Sequence, residues 1–467
     1  MYESTLCIDL GASYTKIAYR RSCVPNNVGS KSEDARILTI DGNPLIPSLA
    51  IKTQSTTTPW VFGWEAANLT PDASMRVFYN WKADLFRSKN DRDSAAAVIV
   101  AEHFFGWLRQ KLEEADIQLG NTQTRIAMPA FESFDSKALV MAQCMEMSGW
   151  ASSLILKVTE PYANTIGLFS RGRNVVSRTR DGELLLNYGK MFSYENIWVQ
   201  TARAHTLHGT RHNLVTTVVV DIGAFTTDLA TITFDVTDPH NAGDGLQRIA
   251  QESHSLGVIN DLDRPLFSEL AARRGFDWAE VPFQLAEAAK RAIYRGKPFS
   301  LPTRSTGVIQ LGEDGDRALI DGHLEAFSAA LWSHLSPFID EENPTLVYLT
   351  GGGSLIAPVR ARLETRLRDR QVRIGSVMSM SGGIGTGPLR PWNQTGEDLH
   401  RLATALGGTS AILQANASPP HTGRDMPIPR HPKEVQTDPD FSPCRCRGGN
   451  KDCCFCGGRG FYSPKYL

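Results

Sequence analysis

The sequence predicts an α/β protein made of two related halves with a cleft between them. Three observations carry this. A strand–turn–strand segment at residues 5–20 recurs at 215–236, with an aspartate and a glycine at each turn. Strands alternate with amphipathic helices in both halves. At 467 residues the chain is too long for a single core.

The elements follow in order. Residues 5–10 (TLCIDL) and 15–20 (TKIAYR) read as two strands around Gly11-Ala12-Ser13. Residues 45–63 are strand and loop, punctuated by Pro47 and Pro59. Val98, Phe104, Phe105, Leu108 and Leu112 recur at helical spacing and predict a helix over 95–118. A strand at 124–128 ends at Pro129, and a helix follows over 133–148. The run 215–221 (VTTVVVD) is β-branched almost throughout, the pattern of a strand buried on both faces; a second strand covers 227–236. Helices over 258–274 and 280–295, a strand at 345–350 and a helix over 357–370 complete the second half. Seven prolines between Ser418 and Pro443 mark an extended linker. The expected divisions are 1–213, containing an Arg/His-rich insertion at 170–213, then 214–415, a linker at 416–443, and a cysteine-rich module at 444–467.

A net charge of -1 gives no global attraction to nucleic acid or anionic membrane. No apolar run is long enough to span a bilayer, so no membrane partner is expected. The first ten residues include Glu3 and lack a secretory leader's basic start, so a cytoplasmic chain is expected.

Three motifs carry phosphate chemistry. In the first, Asp9-Leu10-Gly11-Ala12-Ser13-Tyr14-Thr15-Lys16, a glycine turn offers backbone N–H groups to phosphate and Asp9 suits a hydrated Mg²⁺. The second, Asp221-Ile222-Gly223-Ala224-Phe225-Thr226-Thr227-Asp228, repeats it behind a stronger strand. The third, Gly351-Gly352-Gly353-Ser354, lies between a strand and a helix and allows close approach of a flat nucleoside. Each alone also suits an ordinary turn; their order makes them informative.

With the segments between them, these motifs resemble the nucleotide-binding domain of the seventy-kilodalton heat-shock (DnaK-like) chaperones, over residues 4–415. The likeness includes residues 43–66, the segment from Ile126 to Phe131, Glu160-Pro161-Tyr162-Ala163-Asn164, Glu287-Ala288-Ala289-Lys290-Arg291 and residues 403–412. It implies a duplicated actin-like (ribonuclease H-like) ATPase fold, with two lobes around an ATP/ADP cleft. By the same resemblance, Asp9 and Asp221 hold Mg²⁺ through water and Glu160 orients the attacking water. Thr226 lies near the γ-phosphate and Lys82 neutralises phosphoryl charge. Gly11, Ala12, Ser13, Tyr14, Gly223, Ala224 and Phe225 line the phosphates. Glu287, Lys290 and Arg291 hold the nucleoside, lined by Gly352, Gly353, Ser354 and Ile356. The residues alone also allow Glu287 and Lys290 to be a solvated helical pair and Lys82 a surface lysine.

The sequence departs from the family at three places. Ala12 and Ser13 replace two threonines, Gly223-Ala224-Phe225 replaces three glycines, and Ile356 replaces an arginine that stacks on adenine. Weaker binding or slower turnover is expected. A peptide-binding domain like the one that follows in such chaperones is not expected in residues 416–467.

Instead the tail carries Cys444, Cys446, Cys453 and Cys456, with Cys454 an alternative to Cys453; four thiolates suit tetrahedral Zn²⁺. The segment 453–460 resembles half of a zinc centre in J-domain co-chaperones. Five Lys/Arg against Asp452, with Phe455, Phe461 and Tyr462, also suit nucleic acid, while the alternative is a zinc ribbon docking on protein. Three functions are consistent with these features: an ATP-driven switch acting on a protein client or co-chaperone-like partner, a filament-forming actin-like protein, and a weakly hydrolysing nucleotide-sensing scaffold.

Overall fold

The computed structural model describes most of residues 4–170 and 214–409. It is interrupted at 22–34, 56–58, 73, 80, 86–91, 131–133, 151–154, 236–245, 304–306, 340–344, 371 and 375–395. Elsewhere it describes four short strands, at 176–178, 184–186, 442–443 and 461–462.

The chain forms a mixed α/β structure around two principal sheets. The first contains β1 (Ser4–Leu10), β2 (Tyr14–Arg21), β3 (Arg36–Leu38), β8 (Thr122–Met128) and β9 (Ile155–Thr159) in the order β3-β2-β1-β8-β9. A short β4 (Ile46–Pro47) pairs with β2. A small side sheet joins β5 (Ala50–Lys52), β6 (Trp60–Phe62) and β7 (Arg76–Phe78). After the β10/β11 hairpin (Val176–Arg178, Leu184–Leu186) comes the second sheet: β12 (Leu214–Ile222), β13 (Thr227–Asp235), β14 (Leu246–His254), β17 (Thr345–Thr350) and β18 (Arg373–Ile374). Its order is β14-β13-β12-β17-β18. In both sheets the opening strand pairs antiparallel with the next and parallel with a later one. Strands β15 (Phe299–Thr303) and β16 (Gly307–Leu311) form a separate hairpin.

Helices cover these sheets as the apolar spacing requires. In α3 (Arg92–Glu114), Ala97, Val100, Ala101, Phe104, Phe105, Leu108 and Leu112 are all buried on one face. Each fully buried large side chain contributes about 1.5–3 kcal/mol. This helix begins and ends earlier than the pattern predicts; Asp116, at φ 60°, takes a left-handed conformation that stops it short of 118. The remaining helices are α1 (Gly63–Asn68), α2 (Trp81–Leu85), α4 (Phe134–Met147), α5 (Glu160–Ser170), α6 (Arg264–Arg273), α7 (Phe283–Ile293), α8 (Arg317–Leu335), α9 (Ala357–Asp369) and α10 (Gly396–Gly408). The predicted helix over 258–274 divides into a π-helical turn, Val258–Asp263, and α6, with Pro265 in the first turn of α6. Val218, Val219 and Val220 of β12 are all buried, as expected for a strand covered on both faces.

Helix α10, late in the chain, packs on β1, β2, β3 and β8 of the first sheet, while α5 of the first half touches β12, β13 and β14. The two helices cross each other through small residues four apart, Ala163 and Gly167 on α5 and Ala403 and Gly407 on α10. A Cβ on Gly167 would lie 1.8 Å from the Ala403 carbonyl oxygen, and one on Gly407 would lie 1.8 Å from that of Ala163. Buried Arg125 donates to the Gly408 carbonyl at 2.8 Å and so holds the C-terminus of α10.

Gly407→Ala is expected to destabilise the protein by about 1–3 kcal/mol, the usual cost of forcing atoms into a packed contact. Urea unfolding measures it; an unchanged midpoint would show that the helices do not meet through this residue.

Candidate functional site

The first aspartate turn is built by strand pairing. Asp9 is the penultimate residue of β1 and stands opposite Lys16 of β2, so their side chains share a face. Lys16 Nζ lies 2.7 Å from Asp9 Oδ2. A Cβ on Gly11 would come within 2.4 Å of the Tyr14 carbonyl oxygen, so the tight turn requires glycine. Ser48 braces it: its N–H donates to the Ser13 carbonyl at 2.8 Å and its hydroxyl to the Gly11 carbonyl at 2.6 Å.

The second turn repeats the pattern with different chemistry. Asp221 is again penultimate, in β12, but its cross-strand partner is Asp228. Asn164 Nδ2 donates to Asp221 Oδ2 at 2.6 Å, and the Thr404 hydroxyl reaches the same oxygen at 3.3 Å. Those two donors sit beside Ala163 and Ala403, so the helix crossing delivers one from each helix. Asp228 accepts from the Thr226 hydroxyl at 3.0 Å and from the Ser253 hydroxyl. Ser253 Oγ in turn accepts from the Ala130 N–H of the first half at 2.6 Å.

Lys82 comes from α2, where Trp81 anchors the helix against Phe104. Its Nζ lies 2.7 Å from Glu160 Oε1. Both side chains are buried, which excludes the surface-lysine reading. Glu160 opens α5 directly after β9, where the helix N-terminus favours a carboxylate.

Four carboxyl groups, those of Asp9, Glu160, Asp221 and Asp228, therefore share this region with the Lys16 and Lys82 ammoniums. Burial pushes Asp221 up to about 7; neighbouring Asp9 and Glu160 add to this, while Lys16 and the Thr404 hydroxyl oppose it. Burial, with Glu160 and Asp221, raises Asp228 well above the carboxylate range. Burial also raises Glu160, against the opposing charge of Lys82.

Among the residues predicted to hold a nucleoside, Lys290 of α7 lies 2.9 Å from Asp263 Oδ2 and 3.1 Å from Glu287 Oε1. Burial alone would lower its pKa, but these two carboxylates more than offset that and hold it above the lysine range. Tyr14 of the first half donates to Glu287 Oε2 at 3.5 Å, and its ring meets Phe283 edge-on at 6.2 Å. Glu287 and Lys290 are thus part of a network joining the halves rather than a free helical surface pair. Arg291 is exposed.

Several predicted residues have other duties. Phe225 packs against the first half's core. The Gly223 N–H donates to the Thr226 carbonyl at 2.9 Å, and Val258 and Ile259 N–H groups take the Gly223 and Ala224 carbonyls. These bonds satisfy the Gly223 N–H and the Gly223 and Ala224 carbonyls within the protein. Ile356, an apolar side chain, is buried in the second core. Ser354 is buried; its hydroxyl donates to the Gly351 carbonyl at 2.8 Å and lies 3.0 Å from His400 Nδ1. Burial, with Arg360 and Arg401 nearby, lowers His400 to about 4. Of the three glycines, Gly352 is exposed and Gly353 buried. Gly351 has φ 80°, and a Cβ there would lie 2.2 Å from Asp221 Oδ1, so its bare backbone makes room for that carboxylate.

Among the described residues, no three Cys, His, Asp or Glu side chains converge to hold one ion directly. The donor set suits a hydrated Mg²⁺ held through its waters: carboxylate oxygens are hard ligands. Asn164 Oδ1, buried beside Asp221, has no hydrogen-bond partner among the described residues; such an acceptor fits an ordered water. Cys444, Cys446, Cys453 and Cys456 lie outside the described residues, although β19 (Ser442–Pro443) pairs with β20 (Phe461–Tyr462) on either side of them.

Ser48, Asn164, Asp263 and Thr404 were given no role from the sequence, and Lys16 and Asp228 stand in the aspartate motifs without one of their own. Lys16 was within reach, because a tight turn places residues 9 and 16 opposite each other. Asn164 and Thr404 carry no such local signal. Compared with known proteins, the chain matches no family model and no curated protein.

The raised Asp221 carboxyl sets a pH dependence. Its ordinary value is 3.8 and its folded value about 7. The folded chain thus binds this proton more tightly, a contribution fully present below about pH 4 and lost as pH rises through about 7. In metal-free buffer, Asp221→Asn is expected to flatten the stability–pH curve over that interval. Equal slopes for variant and wild type in urea titrations would contradict it.

Proposed function

We propose that this chain is a DnaK-like ATPase with a duplicated actin-like fold, which binds Mg-ATP between its halves and uses the nucleotide state to control a protein partner. The carrying observation is the pair of equivalent hairpins, β1/β2 and β12/β13, each presenting a penultimate aspartate into one electrostatically coupled group. The matching strand orders of the two sheets support the duplication.

In this reading, Asp9 and Asp221 would hold a hydrated Mg²⁺, which would supply charge neutralisation for the phosphates. Lys82 opposes the burial that raises Glu160 and holds its carboxyl at the start of α5, where it can orient a water. The Gly11 turn receives phosphate; Glu287 and Lys290 flank the nucleoside. The hydrogen bonds of Asn164 and Thr404 to Asp221 tie this carboxylate to the α5/α10 crossing, giving a route from site to helix arrangement. Phosphoryl transfer needs positioning and charge stabilisation more than a covalent group.

Calorimetric titration with ADP and ATP, and single-turnover hydrolysis with Mg²⁺, test the proposal. Glu160→Gln should retain ATP binding while slowing hydrolysis by about 10²–10⁴-fold, the usual contribution of a positioned acid–base group. Unchanged turnover would remove Glu160 from the mechanism, and absence of nucleotide binding in wild type would end the proposal.

The cysteine-rich tail is proposed as a zinc module that docks a protein partner, with nucleic acid as the alternative occupant. Metal analysis of the full chain should find Zn²⁺, released on replacing Cys453 and Cys456 with serine; zinc-free wild type would refute the module.

A further inference from the structure

We infer that Lys16 is a tethered cation that takes over part of the divalent metal's role at Asp9, so that nucleoside di- and triphosphates bind with little dependence on free Mg²⁺. This deepens the nucleotide-binding reading and rests on it.

Four observations carry the inference. Cross-strand register holds Lys16 opposite Asp9, and the 2.7 Å contact occupies Asp9 Oδ2, an oxygen that a hydrated metal would otherwise use. The ammonium overhangs the turn itself: a Cβ built on Gly11 would lie 3.0 Å from Lys16 Nζ. An ammonium has three N–H donors, so bonding to Asp9 leaves capacity for a phosphate oxygen. The Lys16 side chain is 15% exposed, against 3% for Lys82. Lys82 is spent on Glu160, so Lys16 is the more accessible of the two ammoniums in this group.

The second hairpin sharpens the contrast. The position equivalent to Lys16 is Asp228, which is hydrogen-bonded to Thr226 and Ser253. The first turn therefore carries a positive charge where the second carries an acid. The field of Lys16 also reaches beyond its partner, opposing the rise in pKa of both Asp221 and Glu160. A polyphosphate entering this acidic group needs a cation to offset repulsion from the carboxylates. Lys16 supplies one at no cost in ion capture, and competes with a free divalent ion for Asp9.

The test is binding of a fluorescent ADP analogue to the full-length chain, in chelator and at saturating Mg²⁺. Wild type should bind with nearly the same affinity in both. Lys16→Gln should lose about tenfold in chelator, the scale of one charge-assisted contact, and recover most of it with Mg²⁺. Lys16→Arg, which keeps the charge, should retain the wild-type pattern and shows whether substitution here is tolerated. The inference is overturned if Lys16→Gln matches wild type in both buffers, if Lys16→Arg behaves like Lys16→Gln, or if wild type binds only with Mg²⁺. That last result leaves the proposed ATPase function standing. Wild type that binds in neither buffer overturns both.

Discussion

The close crossing of α5 and α10 is the constraint on which the rest of the site depends. Ala163 and Gly167 meet Ala403 and Gly407 with no space for a Cβ at either glycine. Small residues at four-residue spacing let the two helix backbones approach until a carbonyl of one lies against a glycine of the other. Because α10 lies on the first sheet and α5 reaches the second, this crossing fixes one sheet against the other. Asn164 and Thr404, each one residue beyond an alanine of the crossing, arrive at Asp221 as a consequence. The position of the Asp221 carboxylate is thereby set by the packing of two helices.

The electrostatics follow from enclosing several acids with fewer cations. Each lysine is committed to one carboxylate, Lys16 to Asp9 and Lys82 to Glu160. Asp221 and Asp228 have only hydrogen-bond donors, and burial raises both. A buried carboxylate without a counter-charge favours its protonated form. The group as a whole is arranged to gain from added positive charge, which is the physical reason a metal-assisted phosphate site is a coherent reading of it.

Much of the fold was legible in the sequence because the strong signals are local. β12 reads as a doubly covered strand from its valines alone, and α3 from one apolar face. The aspartate turns were legible too, since hairpin geometry requires Gly11 and Gly223 at fixed places. Lys82 was harder: one lysine on a short segment reads as well on a surface, and only Trp81 packing on Phe104 turns it inward. Phe225 and Ile356, the apolar departures within the nucleotide-lining motifs, also contact the cores: Phe225, partly buried, packs against that of the first half, and Ile356 is buried in that of the second.

The sequence by itself determined the alternation of strands and helices, the repeated aspartate hairpin and, through cross-strand register, the pairing of Asp9 with Lys16. These depend on neighbours within a few residues, where backbone geometry leaves few choices. The tertiary structure alone decided that Lys82 meets Glu160, that Asn164 and Thr404 meet at Asp221, and that Tyr14 meets Glu287. Those partners are separated by 78, 240 and 273 residues, the middle figure being that between Asn164 and Thr404. Side chains so far apart are brought together by packing of whole helices and sheets, and no local pattern in the chain encodes which of them will touch.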